Sequence, residues 1–152
     1  MQKFRGVSNL SLDAKGRIVL PARYRERLLE ICQSQLVVTI DTEQPCLLIY
    51  PLPEWELIEE KIEALPAFNP ATRRIQRLLI GHATEVEVDG AGRLLLSGPL
   101  RGYAQLGKKV VLIGQGKKFE LWDESTWNER MDTWLNESSD AAAPEALAEL
   151  TL

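Results

Sequence analysis

Two five-residue segments of this chain place an aspartate, a glycine and an arginine at identical spacing. "DAKGR" begins at Asp13, and "DGAGR" begins at Asp89, 76 residues later. An aspartate in a tight turn accepts hydrogen bonds from backbone N–H groups, and glycine readily adopts the left-handed conformation that such turns require. Both segments therefore predict a braced turn that presents an arginine. The residues expected to brace the two turns are Asp13, Gly16, Asp89 and Gly92.

The arginines of these turns are candidates for contact with nucleic acid. An arginine at the end of a strand can donate two hydrogen bonds to O6 and N7 of a guanine in the major groove, whereas a lysine meets a phosphate as a point charge. For an isolated motif the alternative is a purely structural Asp–Arg pair within the turn. The first turn also contains Lys15 and follows Arg5, whereas the second has Ala91 in the place of the lysine. The predicted DNA-contacting residues are Arg17, Lys15, Arg93 and Arg5, and the first turn is the stronger candidate.

The charges of the chain are distributed unevenly. The net charge is −4, but residues 1–27 hold seven basic residues against two acidic ones. Residues 119–152 hold nine acidic residues and one basic residue. A basic end of this kind suits a polyanion, while an acidic end favours solubility.

The composition gives little support to an enzyme. There is one histidine, His82, and the two cysteines, Cys32 and Cys46, lack a metal-binding spacing. We therefore expect no catalytic residues, no metal, no cofactor and no small-molecule substrate, and we expect both cysteines to be buried. No apolar run approaches the roughly 18 residues of a membrane span, and residues 1–10 lack a hydrophobic signal core. These features predict a cytoplasmic protein without a membrane partner.

The repeat extends beyond the turns. In each copy a strand, the turn, an aliphatic strand, a proline, a short helix, two strands and an amphipathic helix follow one another. "VVTI" at 37–40 matches "VVLI" at 110–113, and "PAR" at 21–23 matches "PLR" at 99–101. Arg23, Arg25 and Arg27 spread around the first short helix, so they are expected to be solvated or to face another subunit.

The repeat also predicts the domain organisation. Residues 1–67 form the first module, 68–80 a connecting helix that Asn69 caps, 81–136 the second module and 137–152 an acidic, flexible tail. Each module alone is small and leaves strand edges open. Pairing the two about a pseudo-two-fold axis removes both problems. We therefore predict a β-rich α+β fold in which two swapped hairpins close one barrel with flanking helices.

These motifs resemble a known family. A strand, a D-x-x-G-R turn, an aliphatic strand and a proline before a short helix are similar to the SpoVT/AbrB swapped-hairpin module. The duplication, the opening "FRG", "PLPEWE" and "RRIQRLLIGHA" resemble the MraZ family of bacterial transcription regulators.

The resemblance implies a cytoplasmic, nucleoid-associated DNA-binding protein that acts mainly as a repressor. Its expected target is the promoter of the division and cell-wall gene cluster that includes its own gene. It implies a ring-like homo-oligomer that binds repeated G-rich boxes in double-stranded DNA. The family's arginines fall on Arg17 and Arg93. Two alternatives remain at this point: an AbrB-type antitoxin, and a ring-forming protein-interaction scaffold.

Overall fold

A computed structural model describes residues 3–137 and 145–150 of the chain. In the first half the elements are β1 (Phe4–Ser11), β2 (Arg17–Val19), α1 (Ala22–Cys32), β3 (Gln35–Ile40), β4 (Leu47–Pro51) and α2 (Leu52–Glu63). The connecting segment contains α3 (Pro70–Ile75) and a π-helical turn (Gln76–Ile80). In the second half they are β5 (Thr84–Glu87), β6 (Arg93–Leu95), α4 (Gly98–Tyr103), β7 (Lys109–Gly116), β8 (Phe119–Asp123) and α5 (Glu124–Asn136), after which comes α6 (Glu145–Ala148).

The connecting helix begins where the sequence predicts. The side chain of Asn69 accepts a hydrogen bond of 2.8 Å from the backbone N–H of Ala71, and Pro70 occupies the first helical position. A cap of this kind satisfies one of the N–H groups that the first turn of a helix leaves without a partner. The predicted cap is therefore confirmed.

The strands of the two halves interlock. Six strands form one antiparallel sheet in the order β1-β7-β8-β4-β3-β5, while β2 and β6 pair separately as a two-stranded ribbon. The first strand of each half thus pairs with the third strand of the other half. The same succession is read from either edge of the sheet, as a pseudo-two-fold axis between β4 and β8 requires. The predicted β-rich α+β class and the exchange of strands between the halves are confirmed.

The prediction of a closed barrel is wrong. Within the described residues β1 bonds only to β7 and β5 bonds only to β3, so these two strands form open edges of the large sheet. Closure would need β2 and β6 to bridge the edges, but they bond to each other instead. The ribbon consequently lies as a second layer against the sheet.

The core lies between the ribbon and one face of the sheet. Ile18 and Leu94 from the ribbon are fully buried there, together with alternate residues of the sheet strands and the aromatic rings of Phe4, Tyr24 and Phe119. The other face of the sheet carries two smaller clusters, because successive side chains of a strand point to opposite faces. Around Trp55, α2 covers β3 and β4; around Trp122 and Trp127, α5 covers β7 and β8. The two amphipathic helices thus occupy equivalent places.

Two remaining predictions concern the ends and the cysteines. Cys32 and Cys46 are buried free thiols, as expected. Residues 138–144 and 151–152 of the predicted flexible tail lie outside the described residues. In the part of the chain that is described, no helix combines the length and the apolar character needed to cross a membrane.

Candidate nucleic-acid interface

The two Asp–Arg turns have the same hydrogen bonds. In the first turn one carboxylate oxygen of Asp13 accepts from the backbone N–H of Lys15 and of Arg17, both at 2.9 Å. The other oxygen accepts from Nε of Arg17 at 2.8 Å. In the second turn Asp89 accepts from the backbone N–H of Ala91 and of Arg93 at 3.0 and 2.8 Å, and from Nε of Arg93 at 2.8 Å. Each carboxylate therefore fixes both the turn and the direction of its arginine.

These contacts also lower the pKa values of the two carboxyl groups. The backbone N–H of Arg17 lowers the pKa of Asp13 from its ordinary value of 3.8, and the guanidinium of the same residue adds to the effect. The pKa of Asp89 is lowered by Arg93 in the same way. Hydrogen bonds to the charged form favour that form. Both turns thus keep a charged aspartate at neutral pH.

The glycines of the turns have a second role besides their left-handed backbone. Gly16 and Gly92 have φ angles of 86° and 78°. A Cβ on Gly92 would lie 2.3 Å from the side chain of Arg25, and a Cβ on Gly16 would lie 2.7 Å from Nε of Arg101. Each glycine therefore makes room for an arginine that comes from the short helix of the other half.

The ribbon brings the two turn arginines onto one surface. In its antiparallel register Arg17 faces Leu95, Ile18 faces Leu94 and Val19 faces Arg93. Because Ile18 and Leu94 point into the core, the neighbouring positions point outward. We call this outward surface the ribbon face; it consists of Arg17, Val19, Arg93 and Leu95. Its two arginines are diagonal neighbours, at about 7–8 Å in such a ladder.

The guanidinium groups on the ribbon face are bound to their aspartates through Nε alone. Each arginine uses Nε for its aspartate, and its side chain remains 26% exposed at Arg17 and 39% exposed at Arg93. Among the described residues neither arginine's terminal nitrogens have a hydrogen-bond acceptor. Two N–H-bearing nitrogens on each arginine are therefore available to an outside ligand.

The remaining predicted contact residues are divided by the structure. Lys15 is exposed in the first turn beside Arg17. Arg5 lies opposite Gln115 at the far end of β1. Six residues of extended strand, about 20 Å, separate it from Ser11 at the near end. The structure therefore does not bring Arg5 to the ribbon face.

Sequence reasoning missed Arg25 and Arg101. In the sequence, matching "PAR" with "PLR" aligns Arg23 with Arg101. In the structure, however, the offset of 76 residues that relates the two turns continues past the ribbon strands. The backbone N–H of Leu20 donates to the carbonyl of Gly92 at 2.9 Å, and the backbone N–H of Leu96 donates to the carbonyl of Gly16 at 2.8 Å. A fixed offset of 76 from the turns would have paired Arg25 with Arg101.

Arg23, Arg25 and Arg27, which were expected to be solvated or to face another subunit, also make hydrogen bonds within the chain. Arg23 donates to the hydroxyl of Ser8 at 2.9 Å, and Arg27 donates to the carbonyl of Lys3 at 2.8 Å. Arg25 donates to the carbonyl of Ala91 at 3.4 Å. Because the three side chains point in different directions from α1, the helix is attached both to β1 and to the second turn.

The surroundings of the two turns differ in charge. The groove beside the first turn is lined by Asp13 and Lys108, in addition to Lys15 in the turn itself. The groove beside the second turn contains Arg25, but also the acidic residues Glu26, Glu87 and Asp89. The first turn therefore offers a more positive surface to an anion.

One cluster elsewhere has side chains of metal-ligand type. Ligand atoms of Asp41, Cys46 and Glu120 lie within 4.8 Å of one another. They are already engaged: the thiol of Cys46 donates to Asp41, and Glu120 accepts from the indole nitrogen of Trp122. Burial, assisted by the two carboxylates, raises the pKa of the Cys46 thiol far above its ordinary value. Since a cysteine binds metal as the thiolate, this cluster is poorly suited to hold an ion.

Two interlocked strand–turn–strand–helix units around a two-stranded ribbon define a double swapped-hairpin protein. The chain belongs to the MraZ family: the family model described as "MraZ protein, putative antitoxin-like" matches residues 3–78 and again residues 79–150. Curated relatives carry the name "Transcriptional regulator MraZ". This membership places the chain among transcriptional regulators.

The similarity to these relatives covers nearly the whole chain. The protein from Alkalilimnicola ehrlichii is 53% identical over 98% of this chain and 99% of its own length. The protein from Thioalkalivibrio sulfidiphilus is 56% identical over 96% of this chain and 97% of its own length. The protein from Halorhodospira halophila is 57% identical over 98% of this chain and 99% of its own length.

Proposed function

We propose that the chain regulates transcription by binding specific double-stranded DNA with the ribbon face in the major groove. The observation that carries this proposal is the ribbon register, which places Arg17 and Arg93 on one exposed surface with their terminal nitrogens free. A two-stranded ribbon fits the major groove, which is about 12 Å wide.

The arginines of the ribbon face are the proposed base readers. The two terminal nitrogens of a guanidinium match O6 and N7 of guanine, a contact worth about 1–3 kcal/mol of discrimination against the wrong base. The aspartates hold Arg17 and Arg93 through Nε and leave those terminal nitrogens without an acceptor among the described residues. Such preorganisation reduces the side-chain entropy that binding would otherwise cost.

Phosphate contacts are assigned to the cations at the ends of the ribbon. Lys15 is exposed in the first turn, while Arg101 and Arg25 lie over Gly16 and Gly92 respectively. Gly16 and Leu20 are four residues apart along an extended strand, about 13 Å, so these cations flank the readers on both sides. Contacts to phosphate set the position of a protein on the duplex without reading its sequence.

The first turn is the proposed main reader, and the second is weaker. Arg17 has Lys15 beside it, and Lys108 lines the adjoining groove. Arg93 shares its surroundings with Glu26 and Glu87, which repel phosphate. The same folded module therefore has two readers of unequal strength.

The biological target is proposed from the family. The chain is expected to act in the cytoplasm at the nucleoid, mainly as a repressor of the division and cell-wall gene cluster that includes its own gene. A ring-like homo-oligomer would present several ribbon faces to repeated G-rich boxes. Linking weak contacts in this way raises the overall affinity by factors of about 10²–10⁴.

Two other functions would use parts of the same surface. An antitoxin would share the DNA-binding ribbon but would also need a toxin-binding segment, and the obvious one includes residues 138–144, outside the described residues. A ring-forming scaffold would use the basic surface to hold an acidic protein. The free terminal nitrogens of Arg17 and Arg93 on a groove-sized ribbon favour DNA binding over the scaffold.

The proposal is tested by footprinting the DNA upstream of the protein's own gene, followed by a salt titration against that site and a random duplex. A specific reader protects a defined box and prefers it at physiological salt by a factor of about 10³ or more. A scaffold shows no protected box and the same steep salt dependence on both duplexes. The latter result would exclude the proposed function.

A further inference from the structure

Two aliphatic side chains share the ribbon face with the arginines. Val19 is 52% exposed and Leu95 is 53% exposed, although the residues beside them, Ile18 and Leu94, are fully buried. The outward half of this short ribbon is thus composed of two arginines and two aliphatic residues.

On the ribbon face each arginine is paired with an aliphatic residue of the other strand. Leu95 lies directly opposite Arg17, and Val19 lies directly opposite Arg93. Directly opposed side chains have Cβ atoms about 4.5–5.5 Å apart. Each arginine therefore has an aliphatic neighbour across the ribbon and a second one two residues along its own strand.

The charges decide which kind of surface can cover this face. An apolar protein surface would bury the terminal nitrogens of both guanidinium groups without hydrogen-bond acceptors, and burying such polar groups unpaired is unfavourable. The major groove offers acceptors and apolar groups side by side, because guanine presents O6 and N7 while thymine presents its C5-methyl group. A mixed arginine–aliphatic face complements that mixture.

The spacing of the side chains on the ribbon face agrees with the spacing of stacked base pairs in DNA. Two residues along a strand span about 6.6 Å, and successive base pairs are about 3.4 Å apart. From a guanine bound by one arginine, the two aliphatic side chains thus reach bases one or two steps away.

We infer that Val19 and Leu95 are specificity-determining residues that contact thymine methyl groups within two base steps of the guanines read by Arg17 and Arg93. This inference rests on the proposed function, since it requires the ribbon face to enter the major groove. It adds thymine to the recognised sequence and gives Val19 and Leu95 a role that the turn motif does not contain.

The test removes single methyl groups from the DNA. In the protected duplex upstream of the protein's own gene, each thymine is replaced in turn by deoxyuridine, and binding is measured by fluorescence anisotropy. One or two replacements within two base steps of a guanine are expected to weaken binding by the wild-type protein about fourfold each, which is the effect of one buried methyl carbon. If no replacement weakens binding, the inference is wrong.

Alanine variants of the protein identify which residue contacts each sensitive thymine. Val19→Ala and Leu95→Ala should each become insensitive to one of these replacements, because the side chain that contacts the methyl has been shortened. Val7→Ala is the matched control, since Val7 is an equally exposed aliphatic at 55% but lies on β1; it should respond to every replacement as the wild type does. Should Val19→Ala fold poorly, Val19→Thr keeps the β-branched shape while replacing one methyl with a hydroxyl.

The results of these experiments distinguish a failure of the thymine inference from a failure of the proposed DNA-binding function. If Arg17→Ala loses the site while every thymine proves dispensable, the inference fails and the proposed function stands. If Arg17→Ala binds normally, the proposed function itself fails. If Val19→Ala and Leu95→Ala change the size of the oligomer and leave the thymine dependence intact, the face is a contact between copies and the inference is overturned.

Discussion

Replacing Gly92 with alanine tests how the second turn holds its arginine partner. Its φ of 78° is a conformation that costs an L-residue about 1–2 kcal/mol. The new Cβ would also displace Arg25, whose side chain lies 2.3 Å from that position. Losing the hydrogen bond of Arg25 to Ala91 costs at most about 1 kcal/mol, because that bond is long. Gly92→Ala should therefore destabilise the fold by about 1–3 kcal/mol relative to a glycine replacement without these contacts.

Gly90 supplies that control within the same turn. Its φ is not positive, and a Cβ there would meet no atom within 4 Å. Both replacements restrict the unfolded chain equally, so the difference between Gly90→Ala and Gly92→Ala isolates strain in the folded state. Urea unfolding at one fixed protein concentration measures this difference in free energy, and in thermal unfolding it corresponds to a difference in Tm of about 2–12 °C. Equal unfolding midpoints for the two variants would refute the geometry described for this turn.

A double variant divides the effect into its two causes. With Arg25→Ala already present, Gly92→Ala should cost only the backbone strain of about 1–2 kcal/mol. An unchanged cost in that background would mean that Arg25 moves aside freely. In that case the packing of Arg25 on Gly92 would not contribute to stability.

Two further predictions follow from the titrating groups. Because the pKa values of Asp13 and Asp89 are lowered by the N–H groups of Arg17 and Arg93, their stabilisation is complete above the ordinary carboxyl pKa of 3.8 and is lost only as the pH falls through the lowered values. Carbon-detected NMR titration of the two carboxyl groups measures this, and a midpoint at or above the ordinary value would contradict it. Because burial raises the pKa values of Cys32 and Cys46, both thiols should resist a disulfide reagent at pH 8 until the protein opens. Rapid reaction of either thiol in the folded protein would show that its burial is misassigned.

Local patterns predicted much of this fold. The Asp–Gly–Arg turns, the alternation of the strands and the cap at Asn69 depend on neighbouring residues, and each can be recognised along the chain. The pairing of distant strands cannot be recognised in that way. The open edges at β1 and β5 follow from β2 bonding to β6, an interaction between strands that lie far apart in the sequence.

The candidate site was predicted in part for the same reason. Arg17 and Arg93 were found because they belong to the turns themselves. Arg25 and Arg101 were missed because each lies over a turn of the other half, a contact that only the exchange of the halves creates. Arg5 was included because it is near Arg17 in sequence, but it lies at the end of β1 that is distant from the first turn.

The central claim is that Arg17 reads a base from the ribbon face, and one comparison of variants tests it directly. Arg17→Ala and Arg130→Ala remove the same charge, but Arg130 is exposed on α5, which packs against the face of the sheet opposite the ribbon. Binding to the footprinted duplex should weaken about 5–150-fold for Arg17→Ala, the equivalent of one bidentate guanine contact, and little for Arg130→Ala. Both variants should form an oligomer of wild-type size. Equal binding by the two variants would contradict the account.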